Sequence, residues 1–267
     1  MTESHTLTAT GLSLSYDGAD VITGLDLAVP PGSISVIVGA NACGKSTLLR
    51  GLARLMKPRG GVVEVDGRDI HSYPSKELAR LVGLLPQQPV APAGITVADL
   101  VARGRYPHQG WFARVSGEDD AAVTHALEQT STADLAGRAV EELSGGQRQR
   151  VWIAMALAQE PEILLLDEPT TFLDVTHQIE VLDLLMHLNK ERGTTIVMVL
   201  HDLNLAARYA DHLIVMAQGA IVASGTPAEV ITAETVRTAF SMDSLIIADP
   251  VCGSPMVVPV GRFHQLG

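Results

Sequence analysis

Cysteine and aromatic residues are scarce in this chain of 267 residues. The two cysteines, Cys43 and Cys252, lie far apart in the sequence and form no cluster with the spacing of metal ligands. We therefore expect a protein of a reducing, cytoplasmic environment. Aromatic residues make up only 4% of the chain, so Val, Ile, Leu and Ala must fill its core. Such a core is typical of a parallel sheet covered by helices rather than of a sandwich of two sheets.

Long hydrophobic runs and an excess of positive charge are missing as well. No apolar stretch approaches the length of about 18 residues that indicates a membrane-spanning helix. The N-terminus lacks the basic start and the apolar run of a signal peptide. If the protein serves a membrane, another chain supplies the part that lies in the bilayer. The formal net charge of −11 has the wrong sign for a nucleic-acid surface, so no nucleic-acid partner is expected.

The pattern of apolar residues changes once along the first 160 residues. Up to about residue 87, apolar runs separated by turn residues predict strands at Leu12–Tyr16, Leu25–Val29, Ile34–Val38, Val62–Val65 and Leu81–Leu85. After that only helices are predicted, at Val97–Arg103, Glu118–Thr130 and Gly146–Gln159. We interpret residues 88–160 as a helical insertion.

Strands return after the insertion. Ile163–Leu166 and Thr195–Leu200 are short, apolar and bounded, which is typical of central parallel strands. A helix over Val175–Arg192 lies between them, so the three elements predict a right-handed βαβ crossover. Further along, the pattern predicts an edge strand at Ile221–Ala223 and a capping helix over Pro227–Phe240. Residues 241–267 have no clear pattern, and no element is assigned to them.

A glycine-rich segment follows the strand at Ile34–Val38 and precedes a helical pattern. Its sequence, Gly39-Ala40-Asn41-Ala42-Cys43-Gly44-Lys45-Ser46, fits the motif G-x-x-x-x-G-K-[ST]. The glycines let backbone N–H groups approach a triphosphate, and the next helix points its positive end at the same anion. In this motif Lys45 reaches the β- and γ-phosphates, and the Ser46 hydroxyl ligates Mg²⁺. We expect the segment, with Thr47, to bind ATP; a plain glycine-rich turn is the alternative.

Two further segments resemble the ATP-binding-cassette (ABC) family of ATPases. Leu143-Ser144-Gly145-Gly146-Gln147 resembles the family's signature sequence, and an apolar helix follows it. The strand Ile163–Leu166 ends in Asp167 and Glu168, which resembles the family's Walker B strand with its adjacent glutamate. The resemblance implies that the signature grips the γ-phosphate of an ATP bound by a second copy. It also implies that Asp167 holds Mg²⁺ and that Glu168 orients or deprotonates the attacking water.

Four single residues match the same family in the expected order. Tyr16 resembles the aromatic residue that stacks on adenine, with a buried core tyrosine as the alternative. Gln87 resembles the glutamine that touches Mg²⁺, and His201 resembles the switch histidine that contacts the γ-phosphate. Asp174 lies in a segment that resembles the D-loop at the dimer interface. The resemblance therefore implies that Glu168, His201, Gln87 and Lys45 form the catalytic set.

The resemblance implies an α/β fold with a P-loop NTPase (RecA-like) core, an N-terminal antiparallel β-subdomain and an inserted α-helical subdomain. In this sequence the core and β-subdomain correspond to residues 1–87 and 161–245, and the helical subdomain to residues 88–160. Residues 246–267 form a C-terminal extension of this single ABC ATPase domain. A head-to-tail dimer of two copies, sharing ATP and Mg²⁺, is the implied working form.

Four segments narrow the resemblance to the ATPases of iron(III)-siderophore importers, whose relatives serve cobalamin and haem. They are Pro86-Gln87, Gly104–His108, Thr170–Asp174 and the tail Asp249–Pro259. The resemblance implies a bacterial, peripheral protein at the cytoplasmic face of the cell membrane. It would power polytopic permease subunits and act indirectly with an extracytoplasmic substrate-binding protein. A cobalamin or haem importer, an exporter and a non-transport ABC protein are the alternatives.

Overall fold

The structure is a computed structural model, and it describes residues 5–16, 18–109, 117–171, 173–261 and 263. The strands are β1 (Leu7–Tyr16), β2 (Ala19–Val29), β3 (Ile34–Gly39), β4 (Gly60–Val65), β5 (Arg68–Asp69), β6 (Val82–Leu85), β7 (Ile163–Asp167), β8 (Thr195–Val199), β9 (His212–Ala217), β10 (Ala220–Gly225), β11 (Ser244–Ala248) and β12 (Pro255–Pro259). The helices are α1 (Lys45–Leu52), α2 (Ser75–Leu81), α3 (Val97–Ala102), α4 (Gly117–Gln129), α5 (Gly145–Ala158), α6 (Val175–Arg192), α7 (Leu203–Tyr209), α8 (Pro227–Val230) and α9 (Ala233–Phe240).

The chain divides into two compact units. A middle unit contains Ser72–Thr194, and an outer unit contains Ser4–His71 together with Thr195–Gly267. These limits differ from the subdomain boundaries expected from the sequence, and those boundaries stay a prediction. Within the described residues, no helix of either unit is long and apolar enough to cross a membrane.

The outer unit contains an antiparallel sheet with the strand order β2-β1-β4-β5. Its strands alternate between buried and more exposed residues, so one face of the sheet is buried and the other is more exposed to solvent. Leu7, Leu12 and Leu14 of β1 are fully buried. The strands expected at the start of the chain are confirmed, and β1 and β2 extend beyond the predicted limits.

Four other strands of the outer unit lie in the order β10-β9-β3-β8. Strand β3 pairs in parallel with both β8 and β9, while β10 pairs antiparallel with β9. Every residue of β3 and β8 is buried, as expected for central parallel strands. The predicted edge position of β10 is confirmed, whereas β9 was not among the predicted strands.

The helix predicted over Pro227–Phe240 is wrong, because the structure contains two short helices there. Helix α8 ends at Val230, and the side chain of Thr232 accepts a hydrogen bond from the Thr235 N–H to begin α9. Threonine favours a capping position over a helix interior, since its hydroxyl competes for backbone groups. Beyond α9, strands β11 and β12 form an antiparallel hairpin in a stretch where no element was predicted.

The middle unit is mainly helical. Helices α3, α4 and α5 pack against one another, and β6 pairs in parallel with β7. The predicted helices of this region are confirmed to within a residue or two, and α6 has the predicted limits. Arg105 is buried between α4 and α5, where its guanidinium bonds Asp119 at 2.9 Å and Glu160 at 2.8 Å.

Candidate functional site

The glycine-rich loop of the outer unit connects β3 to α1. A Cβ atom on Gly39 would lie 2.2 Å from the backbone oxygen of Met216, so no larger residue fits there. Gly44 has a φ of 105°, a left-handed conformation that glycine adopts without strain. Ala42 also has a positive φ of 60°. Turns of this kind present successive backbone N–H groups to one side, which makes a concave site for an anion.

Lys45 is buried in this loop. Its ammonium group donates hydrogen bonds to the backbone oxygens of Gly39 at 2.9 Å and Ala40 at 3.0 Å. The Cys43 N–H donates to the oxygen of Ala40, and the Cys43 oxygen accepts from the Gly219 N–H. The ammonium group is thus bonded to neutral carbonyl groups, and its positive charge suits an anionic ligand.

Tyr16 and His201 also belong to the outer unit. The Tyr16 side chain is 41% exposed, which excludes the alternative that it is a core residue. Its hydroxyl accepts a hydrogen bond from Arg50 of α1 at 2.9 Å. His201 follows β8, whose end is tied to β3 by the bond from Leu200 N–H to the Ile37 oxygen. Because β3 and β8 are parallel neighbours, His201 and the glycine-rich loop leave the sheet at the same edge.

The carboxylates expected to act in hydrolysis lie in the middle unit, at the end of β7. Asp167 is 3% exposed and Glu168 is 8% exposed. Gln87 follows the neighbouring strand β6, and its Nε2 donates to Glu168 Oε2 at 2.6 Å. The hydroxyl of Thr171 donates to the same oxygen at 3.0 Å. Glu168 also has a φ of 54°, and such left-handed non-glycine residues cluster at functional sites.

The signature segment begins helix α5. Ser144 caps the helix by accepting from the Gln147 N–H at 3.3 Å, and the Gln147 side chain accepts from the Ser144 N–H at 3.1 Å. A Cβ on Gly145 would have no atom within 4 Å, and one on Gly146 would only touch the His177 ring at 3.4 Å. The packing of the chain itself therefore does not require glycine at these two positions.

Asp174 caps the next helix, α6. Its carboxylate accepts from the backbone N–H of His177 at 2.9 Å and contacts the His177 ring at 2.7 Å. These interactions, the backbone hydrogen bond first, lower the pKa of Asp174. The His177 ring in turn lies beside Gly146, so it links this capping residue to the start of the signature helix. Arg50 and His177 were not expected at the site, because each acts through contacts that no motif records; Thr171 was expected only as part of the D-loop segment.

The donor set of these residues fits ATP with Mg²⁺ rather than a preformed metal cage. Within the described residues, no group of three or more His, Cys, Asp or Glu side chains could hold a metal ion. Mg²⁺ typically takes one or two carboxylates together with substrate phosphates. Asp167, buried at the end of β7, is one carboxylate of this kind.

The buried parallel strand β3, the glycine-rich loop and the lysine at the start of α1 define a P-loop nucleotide-binding fold. The family model "ABC transporter" matches residues 22–171. The chain therefore belongs to the ABC transporter family, and it is an ATPase of that family.

Two curated relatives and one solved structure are similar to this chain over most of its length. The achromobactin transport ATP-binding protein CbrD of Dickeya dadantii is 53% identical, with 96% of this chain and 95% of the relative covered. The ferric enterobactin transport ATP-binding protein FepC of Escherichia coli is 54% identical, with 98% and 97% covered. The dimeric structure of MJ0796, a bacterial ABC transporter cassette, superposes with a TM-score of 0.74 at 28% identity, covering 82% of this chain and 98% of the cassette.

Proposed function

We propose that this chain is the ATP-hydrolysing subunit of an ABC importer that takes up an iron(III)-siderophore complex through a separate membrane permease. The assignment of ATP hydrolysis is supported by the buried carboxylate of Glu168, whose Oε2 accepts hydrogen bonds from both Gln87 and Thr171. The cargo assignment is supported by the high identity, over nearly full lengths, to the ATP-binding proteins of achromobactin transport and of ferric enterobactin transport.

The outer unit supplies the groups that bind the nucleotide. The loop residues Gly39, Ala40, Asn41, Ala42, Cys43 and Gly44 surround the phosphates, and Lys45, Ser46 and Thr47 complete the set. Tyr16 stacks its exposed ring on adenine. His201 donates a hydrogen bond to the γ-phosphate. The buried ammonium of Lys45 offsets negative charge that grows on the phosphate oxygens during hydrolysis.

The middle unit supplies the groups that act on water and on the metal. Asp167 and Gln87 of this unit would hold Mg²⁺, which supplies positive charge against the phosphates when bound. Glu168 orients the attacking water and accepts its proton. A positioned general base of this kind contributes about 10²–10⁴-fold to a rate. The bonds from Gln87 and Thr171 fix the carboxylate for that role.

A second copy of the chain completes each nucleotide site in this proposal. Ser144, Gly145, Gly146 and Gln147 of one copy grip the γ-phosphate bound by the other, and Asp174 lies at the interface. The support is the pair of glycines that the chain's own packing does not require. A bound phosphate at the start of α5 would need that space, because a Cβ would hold it away from the backbone N–H groups.

The remaining partners follow from the importer assignment. Polytopic permease subunits convert opening and closing of the dimer into transport, and an extracytoplasmic substrate-binding protein delivers the cargo to them. The chain would then be peripheral, at the cytoplasmic face of a bacterial membrane. Tyr106 is a candidate for contact with the permease, because it is 65% exposed. The Lys76 ammonium group lies 4.7 Å from the centroid of its ring.

Reconstitution tests the cargo. The chain is combined in liposomes with the permease and binding protein encoded beside it, and ATP hydrolysis is measured with iron(III)-siderophore, cobalamin or haem. We expect stimulation by an iron(III)-siderophore alone. Stimulation by cobalamin or haem instead would establish the alternative importer, and co-purification with ribosomes or DNA without a permease would reject the importer assignment.

A further inference from the structure

The C-terminal hairpin of β11 and β12 is fastened to helix α7. The side chain of Asn204 forms two hydrogen bonds with one backbone unit of β12. Its Nδ2 donates to the Val257 oxygen at 3.2 Å, and its Oδ1 accepts from the Val257 N–H at 2.7 Å. The Asn204 amide thus makes the two hydrogen bonds that the backbone of a neighbouring strand would make with Val257. The side chain of Val257 is buried.

A second attachment lies one turn further along α7, on the same face of the helix. The Arg208 guanidinium donates two hydrogen bonds to one carboxylate oxygen of Asp249, which follows β11. Asp249 also accepts from the N–H groups of Val251 and Cys252 in the hairpin turn. Asp249 is 4% exposed, and the bond from Arg208 is the main reason why its pKa is lowered to about 2.

Helix α7 begins directly beyond the switch histidine. Asp202 caps the helix by accepting from the N–H groups of Asn204 and Leu205 at 2.8 and 2.9 Å. Asn204 is therefore held by Asp202 through its backbone and by the hairpin through its side chain. On the other side of His201, the Leu200 N–H is bonded to β3. His201 and Asp202 thus connect β8 to α7. The end of β8 is bonded to β3, and α7 is bonded to the hairpin.

We propose that Asn204, together with the Arg208–Asp249 pair, is a positioning group that lets the C-terminal hairpin hold the switch histidine His201 in place for ATP hydrolysis. The inference rests on the proposed function, in which His201 contacts the γ-phosphate. Helix α7 has only seven residues, and a helix this short depends on tertiary contacts for its stability. Loss of the two attachments frees α7 to shift, and its first turn carries His201 with it.

The test uses the full chain with Asn204→Ala and Asp249→Ala as separate variants. Small displacements of a group far from the chemistry can lower a rate by about 10²-fold, so we expect kcat for ATP to fall by about 10- to 100-fold. KM for ATP stays within about twofold, because the glycine-rich loop is unchanged. Arg208→Lys keeps the charge and loses the two-bond geometry, so its kcat falls less than that of Asp249→Ala.

Two control variants separate positioning from a general loss of stability. Val251→Ala changes an 82% exposed residue of the hairpin turn and leaves both attachments intact. Asp66→Ala removes the bonds to Thr6 and His5 elsewhere in the outer unit, so it destabilises that unit without touching α7. Both controls keep the wild-type kcat at 25 °C. A kcat loss in Asp66→Ala as large as in Asn204→Ala would overturn the proposal.

The same substitutions are then made in a His201→Ala background, with the slow residual rate measured on radiolabelled ATP. If the hairpin acts through His201, Asn204→Ala causes no further loss there. An equal further loss overturns the proposal, and so does an unchanged kcat in Asn204→Ala when hydrogen exchange at β12 is accelerated. If His201→Ala hydrolyses ATP at the wild-type rate, the positioning inference fails while the proposed ATPase function stands.

Discussion

The Nε2 atom of Gln87 lies 2.6 Å from the Oε2 atom of Glu168, and this bond joins the ends of two neighbouring parallel strands. Glu168 is almost fully buried and has a left-handed backbone conformation. A buried carboxylate in a strained backbone persists only where surrounding contacts hold it, and such strain collects at functional sites. The pair therefore supports the proposal that Glu168 acts in ATP hydrolysis.

Glu168→Gln removes the charge and proton-accepting capacity of this side chain and keeps its size. We expect kcat for ATP to fall by about 10²–10⁴-fold, the usual contribution of a general base, while ATP still binds. Steady-state hydrolysis and binding of a fluorescent nucleotide measure the two effects. Glu162→Gln, an exposed glutamate just before the same strand, is the matched control and keeps the wild-type rate. A Glu168→Gln protein with near-normal turnover would refute the assignment.

Gly145→Ala tests whether the signature glycine serves a second copy of the chain. The added Cβ has no atom within 4 Å, and alanine at a helix start is at least as favourable as glycine, by up to about 1 kcal/mol. The folded monomer should therefore keep its melting temperature. In the Glu168→Gln background, ATP-driven dimerisation should be lost, as measured by light scattering after size-exclusion chromatography.

Gly137→Ala is the control for this experiment, because its Cβ also meets no atom within 4 Å and it lies outside the signature. It should dimerise with ATP as the parent does. Dimerisation of Gly145→Ala at the parent's ATP concentration would mean that the space beside Gly145 is not used by a bound phosphate. That result would remove the main structural support for a shared site.

Elements with strong local patterns could be predicted from the sequence. Helix α6 has the predicted limits because its apolar residues repeat at helical spacing, Asp174 caps its start and Gly193 adopts the left-handed conformation at its end. Strand β3 is a short apolar run before a glycine, and every residue in it is buried. In contrast, the apolar run of β9 was missed although the turn at Gln218-Gly219 bounds it.

Contacts between distant residues could not be predicted in this way. Asn204 and Val257 are 53 positions apart, and nothing in either local pattern indicates that they meet. The motifs predicted that Gln87 and Glu168 share a site, yet the hydrogen bond between them follows only from the parallel register of β6 and β7. A motif gives the residue types that chemistry needs, whereas the sheet register decides which side chains touch.

Asp119→Ala is expected to destabilise the middle unit strongly. Asp119 and Arg105 are each 6% exposed and are joined at 2.9 Å. Removing Asp119 leaves a buried donor of Arg105 unsatisfied, which typically costs about 1–3 kcal/mol, while Glu160 at 2.8 Å still offsets part of the Arg105 charge. Urea unfolding followed by circular dichroism measures the change. Asp120→Ala, at the next and exposed position, should change the free energy of unfolding by less than about 0.5 kcal/mol.

Gly39→Ala should prevent the glycine-rich loop from adopting its conformation. The new Cβ would lie 2.2 Å from the Met216 backbone oxygen and 2.7 Å from the Cys43 sulfur. Overpacking against backbone typically costs about 1–3 kcal/mol, and the displaced loop no longer points its N–H groups at a phosphate. We expect a lower melting temperature and loss of ATP binding by isothermal titration calorimetry. Wild-type affinity in this variant would contradict the role of the loop geometry.

The Arg208–Asp249 pair should give the stability of the outer unit a characteristic pH dependence. Asp249 has a pKa of about 2 in the folded chain, below its ordinary value of 3.8, chiefly because Arg208 donates to it. A lowered carboxyl pKa stabilises the folded state fully above the unfolded value, and this contribution disappears as the pH falls from about 4 toward 2. Asp249→Asn should therefore be less stable than the wild type at pH 6, with the difference shrinking across that range in urea titrations. Asp243→Asn, in an exposed pair with Arg237, should show a much smaller difference at every pH, and an equal one would refute the role of Arg208–Asp249.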